Sequence, residues 1–402
     1  MTRHLLKLVW NRKRTNLPLM VEVFFAFLVL FAVVTLGLFY VDNYRHPLGY
    51  SWADVQCVNV DPKLTNDEAW PAEAAESLRR LQDTVAELPE VAGVAPAFAA
   101  PYDTAGWGSD YTVDGKAYSY SLNVVGDRFK DVMGLEVLQG RWFSREDDGV
   151  AFKPVVINAE MAADVFGAQN PVGRSIPQDK GPEGEVRPEM RVIGVIRDFR
   201  QDGEFSAPGR YVLLRHREGA QAFFRPRVLL VKVRPGTTAA FEETLLARLQ
   251  ATAKDWSFTV TPLAEMRESN HRMRLAPVLA VSLVAGFLLL MVALGLTGVL
   301  WQSVTQRTLE IGLRRAKGAT ARSIHAQILG EILIMTSLAL ALAVLVVIQF
   351  PLLDLLGFVR PGLFAASLAI SVVALYLVTV ACGYYPSRMA TRIAPADALR
   401  YE

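Results

Sequence analysis

The chain alternates between long apolar runs and polar tracts, and four runs are long enough to leave water altogether: Leu19 to Tyr40, Pro277 to Leu300, Ile328 to Phe350, and Leu363 to Gly383. Each holds roughly 20 residues, the length a helix needs to cross a hydrocarbon core of ~30 Å. They are too long and too free of charge for buried helices of a globular core, since Glu22 and Glu331, near run ends, are their only charged side chains. The pattern predicts transmembrane helices over 19–40, 277–300, 328–350 and 363–383.

Between the first and second runs, residues 41–274 change period and read as mixed α/β. "WADVQCVNV" alternates like a strand, "PAEAAESLRRLQDTVAELPE" has helical spacing, and "VAGVAPAF" is extended. The order recurs near the end in "VLLVKVRP", "TTAAFEETLLARLQATAKD" and "WSFTVTPL". Two strand-helix-strand units thus bracket the segment, which predicts a base lobe from about 50–104 and 221–262 and an inserted lobe from about 105–220. In the insert, "YTVDGKAYSYSLNVVG", "KPVVINAE" and "RVIGVIRDF" are strand candidates, "NAEMAADVFG" is a short helix ending at Gly167, and "PQDKGPEGEVRPE" is an exposed loop. The polar "LAEMRESNHRMRLAP" keeps helical spacing up to Pro277, so residues 263–276 read as a stalk continuing the second span, the other reading being a flexible tether. The fold class is therefore a membrane protein, α-helical with four transmembrane helices plus a large extracytoplasmic α/β two-lobed domain between helices 1 and 2.

Charge sets the orientation. Lys and Arg crowd the tail 1–18 (Arg3, Lys7, Arg12, Lys13, Arg14), the connection 302–327 (Arg307, Arg314, Arg315, Lys317, Arg322) and the tail 384–402 (Arg388, Arg392, Arg400). The connection 351–362 has only Arg360 beside Asp354. Positive residues in short segments mark the cytoplasmic side, so both tails and 302–327 are expected inside and 41–274 outside. The first run exceeds the 7–15 residues of a signal peptide's apolar region and ends in "GLFYVDNYRHP" without a small-residue cleavage site, so it reads as a retained anchor. A net charge of +2 is too small to suggest nucleic acid. Of two cysteines, Cys57 lies outside and Cys382 in the last span, so they cannot join within one chain. Cys57 reads as an inert half-buried thiol on a strand rather than one that pairs between chains.

Enzyme motifs are missing. No G-x-x-x-x-G-K-[ST] occurs, "VDGKAY" lacking both the upstream glycine and the hydroxyl, so this chain is not expected to bind ATP through a P-loop. H-E-x-x-H and G-x-S-x-G are also absent, and the five histidines are scattered. No catalytic, metal or cofactor residue is assigned. The spans lack mid-depth ionisable groups, which argues against a polar conduit. Small residues four apart (Ala339 and Ala343, Ala365 and Ala369, Ser367 and Ser371) would let helices approach closely.

The one stretch with ordered charges is "QRTLEIGLRRAKGATARS", Gln306 to Ser323. At about 100° per residue, Arg307, Glu310, Arg314 and Lys317 share one arc, while Leu309, Leu313 and Ala316 line another. Gly318 suits a left-handed helix end and Thr320 can cap the next helix. Such a helix either docks on a partner or lies on anionic lipid.

With this stretch, the tail "YYPSRMATRIAPADALRYE" and the order of one span, large external domain and three spans, the chain resembles the FtsX-like permeases of ABC transporters, in the MacB-like branch. "GDRFKDVMGLEVLQGRWFSREDD", "VVINAEMAADVFGAQNPVGRSI" and "VIGVIRDFR" are similar to that branch's periplasmic core domain. Lys317 departs from the family, which usually has an apolar residue there. The resemblance implies a multi-pass protein of the bacterial inner membrane whose ATP is used by a separate ABC ATPase subunit. It also implies two permease chains per assembly and transmission of ATPase motion to the periplasmic domain, with no substrate path through the bilayer. Arg307, Glu310, Arg314, Arg315 and Lys317 would then form the coupling helix on the ATPase, ended by Gly318 and Thr320. The client could be exported with a periplasmic adaptor and an outer-membrane channel, or be a released lipoprotein. Alternatively the chain could be a regulator that activates a periplasmic enzyme or senses envelope stress, a role in which the family's cell-division members have a much smaller external domain.

Overall fold

The computed structural model describes residues 13–63, 71–103, 107–113, 116–176, 189–216, 225–353 and 355–390. Arg3, Lys7, Arg12, Asp354, Arg392, Arg400 and nearly all of the loop 177–189 lie outside the described residues, as do the side chains of Lys13, Arg14 and Arg315. The chain divides into two units, Asp42–Met273 and the remainder, Met1–Val41 with Arg274–Glu402.

In the Asp42–Met273 unit, alternation along the strands decides which layer each side chain joins. The sheet contains β1 (Val55–Asp61), β2 (Val91–Ala97), β3 (Trp107–Val113), β4 (Lys116–Val125), β5 (Val137–Gly140), β6 (Lys153–Asn158), β7 (Met190–Ile196), β8 (Tyr211–Arg215), β9 (Val228–Val233) and β10 (Ser257–Pro262). Their order is β10-β1-β9-β2-β4-β8-β6-β7-β5, with β3 paired to β4. On β9, Leu229, Val231 and Val233 face one apolar layer with Val58 and Val60 of β1, while Val228 and Leu230 face another with Val55 and Cys57. That is the period of two expected of strands buried on both faces.

Two helices cover the first layer. Helix α2 (Ala72–Ala86) buries Ala74, Leu78, Leu81 and Val85, and α5 (Ala240–Thr252) buries Phe241, Leu245 and Leu249, in each case one face at helical spacing. The opposite layer is shared: Phe129, Val132 and Met133 of the short helix α3 (Phe129–Met133) sit with Val156 of β6 and Leu213 of β8. A third layer belongs to the insert, where Val155 and Ile157 of β6 pack with Met161 of helix α4 (Ala159–Phe166). Asn158 caps α4 through Met161 N at 3.2 Å, and Gly167 ends it at φ +59°.

Strands β1, β2, β9 and β10 come from the two ends of the segment and β3 to β8 from the insert. The two sets meet at one residue pair, Ala97 with Val125. Beyond it the Asn123 carboxamide takes over, accepting from Ala99 N at 3.2 Å and donating to Ala99 O at 2.8 Å. The stretch 111–126 is not one strand. Tyr111–Val113 ends β3 and Lys116–Val125 forms β4, a hairpin with Val113 opposite Lys116, as the D-G dipeptide between them favours.

Cys57 is fully buried, not half-buried. Burial, with the charge of Asp103, pushes its thiol up to about 12. Cys57 is therefore expected to stay unmodified by maleimide over hours in the folded chain and to react at once in denaturant, as peptide mass spectrometry would read; prompt native labelling would contradict this burial.

In the other unit, helix α1 (Lys13–Tyr44) begins the bundle; α6 (Leu263–Gln306) runs unbroken through Pro277. They are followed by α7 (Thr308–Ala316), α8 (Ala321–Leu352) and α9 (Pro361–Ala390). Of these, α1, α6, α8 and α9 are long and apolar enough to span a membrane. Val23 and Phe27 of α1, Leu296 of α6, Ala339 and Ala343 of α8 and Leu375 of α9 share their core. Ser367 and Ser371 are also buried, whereas Ala365 and Ala369 are exposed. Hydroxyl pairs Thr336 with Thr379 (3.2 Å) and Ser337 with Tyr376 (2.7 Å) tie α8 to α9, the kind of bond that holds helices together where lipid offers no polar partner.

Candidate functional site: the helix between the second and third spans

Helix α7 is separated from α6 by Arg307 alone. Its C-terminal end closes as a Schellman motif: Ala319 N donates to Arg314 O at 3.0 Å and Gly318 takes φ +92°. Thr320 then caps α8, its side chain accepting from Ser323 N at 3.3 Å. Both punctuation residues read from the sequence therefore act as expected.

The rotation of the helix differs from the wheel. The stripe Leu309, Leu313 and Ala316 does not face the protein: Leu309 is 55% and Leu313 44% exposed, and Ala316 is exposed. The buried side is Ile311 and Gly312. The physical reason is Ile311, which lies beside the charged arc and meets Val304 of α6 and Ile324 and Ile328 of α8. Placing Ile311 inward turns part of the charged stripe inward with it.

Arg307 is thereby spent inside the chain. It donates to both oxygens of Glu331 on α8, at 2.8 and 3.0 Å, and each side chain keeps only 14% exposure. Arg314 donates to Gln327 at 2.8 Å and to Glu310 at 2.5 Å, and Gln327 reaches Glu331 at 3.4 Å. The five side chains Glu310, Arg314, Gln327, Glu331 and Arg307 form a chain of polar contacts that runs from α7 across α8 and back to Arg307, the residue just before α7. Lys317 and Glu310 remain exposed beside Leu309 and Leu313. Arg315 is helical, but its side chain lies outside the described residues. Sequence reasoning noted Glu331 only as a charge near a span end and passed over Gln327. The signal was their spacing of four residues, which puts both on the side of α8 that faces α7.

The helix thus has an inner face fixed to α8 by a half-buried ion pair and an outer face of two leucines between opposite charges. Leucines bordered by opposite charges have the composition of a contact surface.

Family comparison completes the picture. The MacB-like periplasmic core domain model matches residues 23–248, and the FtsX-like permease C-terminal model matches residues 282–395. The chain belongs to the MacB-like, FtsX-like ABC transporter permeases. The permease is 30% identical over 302 residues to the macrolide export ATP-binding/permease protein MacB of Agrobacterium fabrum, covering 70% of this chain and 44% of that one. It is 26% identical over 292 residues to the uncharacterized ABC transporter permease YvrN of Bacillus subtilis, covering 69% of each. Over the MacB protein of Bdellovibrio bacteriovorus it is 28% identical and spans 41% of that protein's length. Among solved structures, the periplasmic region of MacB from Actinobacillus actinomycetemcomitans aligns at a TM-score of 0.38 and 16% identity, covering 54% of this chain and 92% of that one. By its family matches and its four long apolar helices the permease is a membrane protein with a domain of the periplasmic core type, and α7 lies within the FtsX-like part.

Proposed function

We propose that this permease is a mechanical transmitter that uses the ATP hydrolysed by a separate ABC ATPase subunit. The ATPase engages the outer face of α7 on the cytoplasmic side, where both termini also lie. Its movement passes through the spans to the periplasmic domain, which drives export or extraction of a periplasmic client. Two permease chains complete the assembly; the uncovered apolar face of α6, of whose most apolar window 11% is buried against 39% for α1 and α8, suits a second chain. In the export version an adaptor and an outer-membrane channel receive the client.

One observation carries this reading: α7 is fastened inward through Arg307 and Glu331 while presenting Leu309 and Leu313 outward beside Glu310 and Lys317. Two exposed leucines framed by opposite charges suit a protein groove with complementary charge. The double variant Leu309→Asp, Leu313→Asp is expected to fold, because neither side chain is buried, and to lose at least tenfold of the ATPase that co-purifies from membranes. Undiminished co-purification would refute the reading. Loss of binding to phosphatidylglycerol vesicles with the ATPase still attached would instead place this face on lipid.

A further inference from the structure

The loop between β7 and β8, Arg197–Arg210, has no regular period, yet two of its charged side chains are buried: Arg200 at 3% and Glu204 at 5% exposure. Each grips a different membrane-connected helix. Arg200 donates to Asn43 O at 2.8 Å and His46 O at 3.0 Å, and to Glu204 O and Ser206 O within its own loop. Asn43 lies in the last turn of α1 and His46 two residues past its end, where carbonyls lack the usual donor four residues on and carry partial negative charge, so a guanidinium there caps the helix even though Asn43 O also accepts from His46 N at 3.1 Å. In return, Asn43 Nδ2 donates to Phe205 O at 3.2 Å.

Glu204 holds the other stem. Arg267 Nε, in the first part of α6, donates to Glu204 Oε1 at 2.5 Å, and His271 Nε2 lies 2.9 Å from Oε2. The Tyr102 hydroxyl reaches the same carboxylate at 3.4 Å. Burial pushes the Glu204 carboxyl up, but the bonds from His271 and Arg267 outweigh it and hold the group below the usual carboxylate range. Rings from all three elements meet at one place, Phe205 lying 5.8 Å from Tyr44 of α1 in a tilted pair and 5.0 Å from His271 of α6 edge to face.

Topology gives this contact its meaning. The base lobe is joined to the stems by the chain itself, through β1 after α1 and β10 directly before α6. The insert has no such link. Its loop ends in β7 and β8, which flank β6 in the sheet, and among the described residues its strands join the base strands at a short seam, the pair Ala97 and Val125 with bonds from Phe98 N to Val124 O and Gly126 N to Pro96 O beside it. We infer that the loop carrying Arg200 and Glu204 is the fastening through which both stems move the inserted lobe, with Arg200 holding the end of α1 and Glu204 holding α6. This rests on the transmitter reading for its purpose, though not for its geometry.

The test uses the full chain in nanodiscs with Cys382→Ser, Cys57 being buried. Spin labels at Arg272→Cys and Glu160→Cys, both exposed, report stem against insert; labels at Arg272→Cys and Arg248→Cys report stem against base. Glu204→Gln and Arg200→Lys, which keep side-chain volume, and the more severe Glu204→Ala are expected to broaden the stem-to-insert distance distribution at least twofold and leave the stem-to-base one unchanged. No broadening in any folded variant, or equal broadening of both pairs, would overturn the assignment. The transmitter reading fails separately: if ATP with the co-purified ATPase leaves the wild-type stem-to-insert distance unmoved, the fastening stands and its purpose does not.

Discussion

Glu331→Ala is expected to destabilise the membrane unit by about 3 kcal/mol, near the low end for breaking a buried ion pair. The reason is Arg307, whose side chain is 14% exposed and donates to both carboxylate oxygens of Glu331. Removing the acid leaves a cation between Val304, Ile311 and Ile324 in a place where it cannot reach full hydration. Arg307→Ala should cost less, since the carboxylate it abandons still has Gln327 at 3.4 Å. The exchanged pair, Arg307→Glu with Glu331→Arg, should recover much of the loss, and a double-mutant cycle on the melting of the detergent-solubilised chain would measure the coupling. Functionally, Glu331→Ala should keep the ATPase bound, because Leu309 and Leu313 are untouched, but lose transport-linked stimulation of hydrolysis. An additive cycle with no recovery in the exchanged pair would show that the bond does not fasten α7 to α8.

How much of this was legible in the sequence depends on whether the determinant was local. The four spans follow from apolar length, and the ends of α7 from Gly318 and Thr320, each read from residues a few positions away. The rotation of α7 was not legible from its own wheel. Leu309 and Leu313 outweigh Ile311 in number, and the wheel has no knowledge of Val304, Ile324 and Glu331, which select the side that carries Ile311 and Arg307. Nor was the hairpin of β3 and β4 separated from a single long strand, although the D-G dipeptide between Val113 and Lys116 was the signal for it. The fastening at Arg200 and Glu204 was the least accessible. "RDFRQDGEFSAPG" is a polar loop by any local rule, while the partners of Arg200 lie 157 residues away at Asn43 and those of Glu204 lie 63 residues away at Arg267. Buried charge in a loop becomes visible only when the carbonyls and side chains that neutralise it are brought together by the fold.

The same contact makes the largest structural demand on a residue with no side chain. Gly49 adopts φ +82°, and a Cβ placed there would lie 1.4 Å from the carbonyl oxygen of Asp198. Backbone therefore touches backbone just before Arg200, whose own N–H donates to Leu48 O at 3.1 Å. Gly49→Ala has to separate the loop from residues 48–50 as well as strain the backbone, so its expected cost is about 4 kcal/mol or more, in the range reserved for a lost structural contact. Gly318→Ala provides the comparison. Its φ of +92° is equally unsuited to an L side chain, but nothing lies within 4 Å of the added carbon, so only the conformational cost of about 1 kcal/mol applies. Thermal melts of the full chain followed by tryptophan fluorescence, with Trp52 close to Arg267 at 4.6 Å, would separate the two. If Gly49→Ala melts as close to the wild type as Gly318→Ala does, the loop is not packed against the end of the first stem, and Arg200 could not be holding it.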